Sequence, residues 1–389
     1  MNAVFQYGID TLVLEHAEGL AGRRVGLVAH PASAGADGVP SAERLRAAGV
    51  ELACLFGPEH GFSGRGGAGE NIAHRQHPDW HIPVYSLYGE TRRPTAEMLR
   101  DLDVIVFDLQ DLGARPYTYV STLRYVLEAA AEHGKTVIVA DRPSPLAGVV
   151  DGPMLEPEYG SFVGAVRTPV AYGMTPAETA LWLQRDLGLR LDLRLAPMLA
   201  YRRAFARPAG WPAWIPPSPA IRTWECGLCF PVTVFFEALP AVDHGRGTAT
   251  PFQLCGAPWI NSELLCERLN ALELPGVRFA AESYRAMTGL YEGQPVHGVR
   301  IEITETARFQ PVHTGVAVIR TLQELYGRER LWAEKGTRPD FFDKLMGTAS
   351  ARLALQSGEP ASVIAASWEN GISAFRETRA PCLLYPPAS

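Results

Sequence analysis

The chain has 389 residues, 47% hydrophobic and 20% charged, with a formal net charge of -6. That balance excludes a disordered protein, and the mild acidity excludes the broad positive field that draws nucleic acid or anionic membrane. At roughly 100–200 residues per domain, two domains are expected, taken as 1–200 and 201–389.

The opening stretch, MNAVFQYGIDTLVLEHAEGL, lacks the basic and apolar regions of a signal peptide, which predicts a cytoplasmic protein. Arg24 to His30 reads as a buried strand. Ser41 to Ala48 reads as a helix with Ser41 as its N-cap. Glu51 to Phe56 and Pro83 to Leu87 read as strands, and Pro94 to Arg100 as a helix start. Asp103 to Leu109 is the clearest strand. Tyr117 to His133 is helical up to Gly134, and Thr136 to Asp141 is again a strand. Strands and helices in alternation, with continuously apolar strands, predict a parallel sheet covered on both faces. The stretch at 206–219, rich in Pro and Trp, reads as a crossing between lobes. Beyond it, Pro231 to Phe236 and Val296 to Ile303 read as strands, and Asn261 to Ala271 and Thr314 to Tyr326 as helices. Three further helical stretches are expected between Arg338 and Arg379. The second lobe is therefore α+β and smaller.

No GxGxxG follows the first strand, which disfavours a dinucleotide site. The six cysteines read as reduced thiols. Cys226 and Cys229 form a CxxC with no second ligand pair at zinc spacing, so no metal is expected.

Doubly wound sheets present ligands at the carboxyl ends of their strands, and there the polar residues gather. Glu51 to Phe56 runs into Gly57-Pro58-Glu59-His60-Gly61, a sharp turn presenting a carboxylate and an imidazole. Asp103 to Leu109 runs into Asp108, Gln110, Asp111, Arg115 and Tyr117. Thr136 to Asp141 ends in Asp141-Arg142. Carboxylate, guanidinium, amide and phenol groups together suit a sugar. Glu59 and Asp108 are expected as a catalytic pair, in the manner of glycosidases that use two carboxylates. His60, Gln110, Asp111, Arg115, Tyr117, Asp141 and Arg142 are expected to bind substrate. Turn-capping and internal salt-bridge roles remain open for the same residues.

These residues lie within a series of motifs that resembles one family. GPEHGFSG at 57–64, IPVYSLYG at 82–89, VFDLQDLGARPYTY at 106–119 and DRPSP at 141–145 belong to it. So do DGPMLEPEYGSFVG at 151–164, YGMTPAE at 172–178, PPSPAI at 216–221 and GRGTATPFQLCGAPWI at 245–260. Together they are similar to the NamZ-type exo-β-N-acetylmuramidases. The resemblance implies a Rossmann-like parallel-sheet domain, a smaller second domain and a cleft between them. It implies release of N-acetylmuramic acid from non-reducing ends of peptidoglycan fragments, no dissociable cofactor, and Glu59 in the catalytic position. A sugar or muropeptide is then the expected partner, with neither nucleic acid nor membrane insertion. Arg115, Arg142 or Arg246 is expected to grip the lactyl carboxylate. The chain departs from the family's pattern at His30, Tyr172, Ala220 and Asp243-His244, which are expected at the rim of the site. A sugar binder without catalysis, built on the same scaffold, is the alternative.

Overall fold

The computed structural model describes residues 4–203, 207 and 211–386, apart from Ala68. Residues 206 and 208–210 of the expected crossing, like residues 1–3 of the opening stretch, lie outside the described residues.

A seven-stranded sheet forms the first part of the chain. Its strands are β1 (Arg24–Val28), β2 (Glu51–Gly57), β3 (Arg75–Gln76), β4 (Pro83–Ser86), β5 (Val104–Phe107) and β6 (Thr136–Ala140). A short antiparallel pair, β7 (Val150–Asp151) and β8 (Ala171–Tyr172), follows before the seventh sheet strand, β9 (Leu193–Ala196). The order is β3-β4-β2-β1-β5-β6-β9, parallel throughout except for β3 against β4. The chain winds outward in one direction from β1 and then restarts beside it at β5, so the strand order reverses between these two.

Alternation along the strands explains why they read as continuously apolar. Val25, Leu27, Val104, Val106, Ile138 and Ala140 pack with Ile9 and Leu12 of helix Gly8–His16 and with Ala42 and Leu45 of helix Ser41–Ala47. Their neighbours Ile105, Phe107, Val137 and Val139 pack on the other face, with helices Tyr119–Glu132 and Pro176–Asp186. Both faces are dry, so neither set can be polar. Ser41 is not the cap of its helix, because Pro40 holds that position. Its hydroxyl donates to Asp108 Oδ2 at 2.5 Å.

The second part holds a three-stranded antiparallel sheet of β10 (Leu254–Ala257), β11 (Val277–Arg285) and β12 (Pro295–Ile303), in the order β10-β12-β11. Helix Ser262–Asn270 packs on it, and helix Pro311–Tyr326 packs against that helix. Five helices follow: Glu329–Trp332, Pro339–Met346, Ser350–Ser357, Ala361–Ala366 and Glu369–Arg379, the last four standing where three were expected. Pro231 to Phe236 is not a strand. Pro231 lies inside helix Trp224–Thr233, which continues into a 3-10 turn at Val234–Glu237. This helix is buried on all sides except at Glu225, so no apolar periodicity marked it as helical. Helix Pro311–Tyr326 crosses it closely, and a Cβ on Gly315 would stand 2.4 Å from the carbonyl oxygen of Val232. One core of buried apolar side chains runs through both parts.

Candidate active site

The strand β2 ends at Gly57, whose missing Cβ leaves room for the Phe62 N–H, only 2.3 Å from where that atom would sit. The chain then reverses in a turn closed by the Gly61 N–H donating to the Pro58 carbonyl at 2.8 Å. His60 takes a left-handed φ of 67° there, a strained conformation for a residue with a side chain. The turn thrusts Glu59 outward, half-buried. Its Oε1 accepts from the Gly69 N–H at 2.8 Å and its Oε2 from the Thr118 hydroxyl at 2.7 Å. The carboxyl group is thus held by the loop after β2 and by the start of the helix after β5. His60 donates from Nδ1 to the Gly66 carbonyl at 2.8 Å, since a carbonyl can only accept.

Glu59 and His60 open into a cavity of about 520 Å³ at the carboxyl ends of β2, β4 and β5. The first domain supplies Tyr88, Arg92, Tyr117 and Thr118, and the loop before β8 supplies Ser161 and Phe162. The second part closes it with Ser218 to Ile221, Phe230, Glu237, Arg246, Phe252 and one face of helix Pro339–Met346, which presents Phe341 and Lys344 below Arg338. Tyr117 stands edge-on to Tyr119 and Phe230, at 4.8 and 5.6 Å between ring centroids, and burial pushes its phenol well above the usual range. Arg92 lies over both Tyr88 and Phe162, at 4.7 and 4.6 Å. Arg246 donates to Glu237 at 2.5 Å and covers the ring of Phe252.

Of the residues expected in the site, Glu59, His60, Tyr117 and Arg246 meet in this cavity, and six do not. Asp108 is fully buried below the β5 end. It accepts from Arg142 Nε at 2.5 Å and Nη2 at 2.9 Å, and from Ser41. This bidentate pair consumes both members, so neither Asp108 nor Arg142 is placed to meet a sugar there. Gln110 donates to the carbonyls of Asp111 and Pro143, at 2.9 and 2.6 Å. Asp111 accepts from Tyr172 and from the Gly113 N–H, and burial raises its carboxyl to about 6. Asp141 accepts four donors: the N–H groups of Arg142 and Ala177 and the hydroxyls of Thr175 and Tyr385.

Arg115 is fully buried, with no carboxylate partner among the described residues. It donates instead to the carbonyls of Pro153 at 3.2 Å, Thr168, Leu345 at 3.5 Å and Met346 at 2.6 Å. Desolvation lowers its pKa to about 9, which still leaves it charged at neutral pH. Its role is to cap the carboxyl end of helix Pro339–Met346, not to grip a ligand.

The positions that depart from the family pattern divide the same way. Tyr172 is fully buried on Asp111. His30 accepts from the Gln110 N–H at Nε2 and donates from Nδ1 to the Pro217 carbonyl, and burial beside Arg142 lowers its pKa to about 3. Asp243 is taken up by Gly245 N–H and the Tyr284 hydroxyl. Only Ala220 of this set lines the cavity. The sequence reading missed Glu237, Arg92, Phe162, Arg338, Phe341 and Lys344. Glu237 had a signal, being the one acid in the apolar run from Cys229 to Pro240.

Family comparisons agree over nearly the whole chain. The sequence model described as exo-beta-N-acetylmuramidase NamZ, N-terminal, matches residues 25–225, and its C-terminal counterpart matches residues 228–385. The peptidoglycan beta-N-acetylmuramidase NamZ of Bacillus subtilis (strain 168) is 38% identical over 382 residues, 98% of this chain and 91% of that protein. A crystal structure of a DUF1343 family protein from Bacteroides fragilis superposes with a TM-score of 0.90 at 32% identity, covering 98% of this chain and 99% of the other. A second DUF1343 protein of that organism, at 24% identity and a TM-score of 0.78, covers 99% of this chain and 100% of its own and shares the fold.

Proposed function

The chain belongs to the exo-β-N-acetylmuramidase NamZ family, and from that premise we propose that it is an exo-acting glycoside hydrolase releasing N-acetylmuramic acid from the non-reducing ends of peptidoglycan fragments. The observation that carries this reading is Glu59, a carboxyl group fixed at two oxygens on the wall of a sugar-sized cavity. Aromatic faces and paired charges line the rest, as a pyranose requires.

In this reading Glu59 is the general acid, giving a proton to the glycosidic oxygen as the C1–O bond breaks. Among the described residues, Glu237 is the other carboxylate on the cavity wall, and Arg246 holds it at 2.5 Å. That pairing suits it to orient a 2-acetamido group rather than to attack. The substrate's own acetamido oxygen then closes on C1, and water opens the resulting ring with Glu59 taking the proton back. We propose the cytoplasm as its place of action, a reading supported by the six free cysteines, since thiols stay reduced in such a compartment. No helix among the described residues is long and apolar enough to cross a membrane.

The test uses two disaccharides without added cofactor, one with N-acetylmuramic acid at the non-reducing end and one with N-acetylglucosamine there. The first should be split and the second left intact. Binding of the first without any cleavage would overturn the hydrolase reading in favour of a sugar binder.

A further inference from the structure

N-acetylmuramic acid differs from N-acetylglucosamine by a lactyl group on O3, which ends in a carboxylate. Reading that difference takes a cation whose charge is not already spent. Among the described residues, four arginine or lysine side chains line the cavity: Arg92, Arg246, Arg338 and Lys344. Arg246 is spent on Glu237. Arg142 and Arg115 are outside the cavity: Arg142 is paired with Asp108, and both Nη atoms of Arg115 donate to backbone carbonyls.

The remaining three divide between two walls. Arg92 stands on the wall that holds Glu59, its guanidinium laid over Tyr88 and Phe162. Arg338 and Lys344 stand on the wall made by helix Pro339–Met346. Residues 338, 341 and 344 recur every three positions, so they share one helical face. Arg338 covers the ring of Phe341 at 4.3 Å and donates to the Glu237 carbonyl at 2.7 Å. Lys344 is exposed to the cavity with no carboxylate partner among the described residues. The helix is also fixed in place: Arg115 reaches from the first domain to its last carbonyls. A Cβ on Gly347 would stand 2.2 Å from that guanidinium, so the helix must end in glycine there.

C1 and C3 of a pyranose flank C2, and their equatorial bonds diverge with the C2 substituent between them. With Glu59 at C1 and Glu237 turned to the 2-acetamido group, the 3-substituent continues past Glu237 toward Arg338, which donates to the Glu237 carbonyl, and Lys344. We infer that the basic face of helix Pro339–Met346, with Lys344 as the principal cation and Arg338 beside it, is the subsite that reads the lactyl carboxylate. This inference rests on the muramidase reading for its ligand, and it assigns specificity to a helix far along the chain from the catalytic turn.

Binding, which needs no turnover, tests it. Titration calorimetry compares N-acetylmuramic acid with its neutral lactyl methylamide on the full chain. A charge-assisted contact is worth roughly 10–100-fold, which is the preference for the acid expected of the wild type. Lys344→Met should bring that ratio to within about threefold of unity, Arg338→Met should reduce it in part, and Lys344→Arg should keep it. Arg92→Met should leave the ratio in place. Lys344→Met and Arg338→Met variants that both keep the full ratio would overturn the assignment, as would its loss in Arg92→Met alone. Cleavage assays on the same samples report separately on the hydrolase reading.

Discussion

Replacing Arg115 with Met removes the charge that ties the two domains together behind the cavity. The guanidinium is fully buried and donates to four carbonyls, two of them at the end of helix Pro339–Met346. Each hydrogen bond to a charged group contributes roughly 1.5–3 kcal/mol, and a buried carbonyl left without a donor costs about 1–3 kcal/mol. Against this stands relief of the guanidinium's own desolvation, several kcal/mol for a buried ion. The net expectation is a loss of about 2–5 kcal/mol in folding stability, larger than a surface change produces. Urea unfolding, followed by tryptophan fluorescence, measures it. Because helix Pro339–Met346 loses its anchor, the preference for the lactyl carboxylate should weaken as well, which a merely global loss of stability would not cause in the folded fraction. A variant within about 0.5 kcal/mol of wild type, with its carboxylate preference intact, would refute the reasoning.

Thr118 is a positioning residue for Glu59, donating to it at 2.7 Å. Thr118→Val should lower kcat by roughly tenfold, from the loss of a hydrogen bond worth about 1–2 kcal/mol, with little change in KM, and Thr118→Ser should restore it. Equal loss in Val and Ser variants would instead mark a packing role. Asp111 makes stability depend on pH. Its carboxyl is raised by burial from 3.8 to about 6, so the folded state holds a proton that the unfolded state has lost between those values. Stability should therefore fall by up to about 3 kcal/mol as pH rises from 4 to 6. Asp111→Asn should flatten that part of the profile in urea melts. An unchanged slope would show that another group is responsible.

The sheet was legible because its strands bury both faces. Residues such as Val104 to Phe107 are apolar without interruption, and the helices between strands carry clear amphipathic stripes. Helix Trp224–Thr233 was not legible for the same physical reason turned round. A helix buried on all sides has no stripe, and its Pro231 and β-branched neighbours imitate a strand. The small sheet was only partly read, since β11 is half-exposed and mixed in character.

Glu59 was legible from local chemistry alone, because Gly57, Pro58 and Gly61 specify a turn at a strand end. The acids and arginines after β5 and β6 looked equally functional. Their burial depends on partners far along the chain: Asp108 on Arg142 and Ser41, Arg115 on Leu345 and Met346, Asp141 on Tyr385. A charged residue at a strand end reads the same whether it faces a ligand or an internal partner. Lys344 and Phe341 carried no local signal, since their place in the cavity is set by how one helix docks against the first domain.

The central claim is that Glu59 supplies the proton to the leaving oxygen, and Glu59→Gln tests it most directly. The amide keeps the shape, its oxygen accepting from the Gly69 N–H and its NH2 donating to the Thr118 hydroxyl in place of the bond that Glu59 accepts, but it has no proton to give. On a disaccharide with N-acetylmuramic acid at its non-reducing end, where the leaving sugar needs that proton, kcat/KM should fall by roughly 10²–10⁴ while the protein remains folded and binds substrate. Turnover within about threefold of wild type on that substrate would contradict the account.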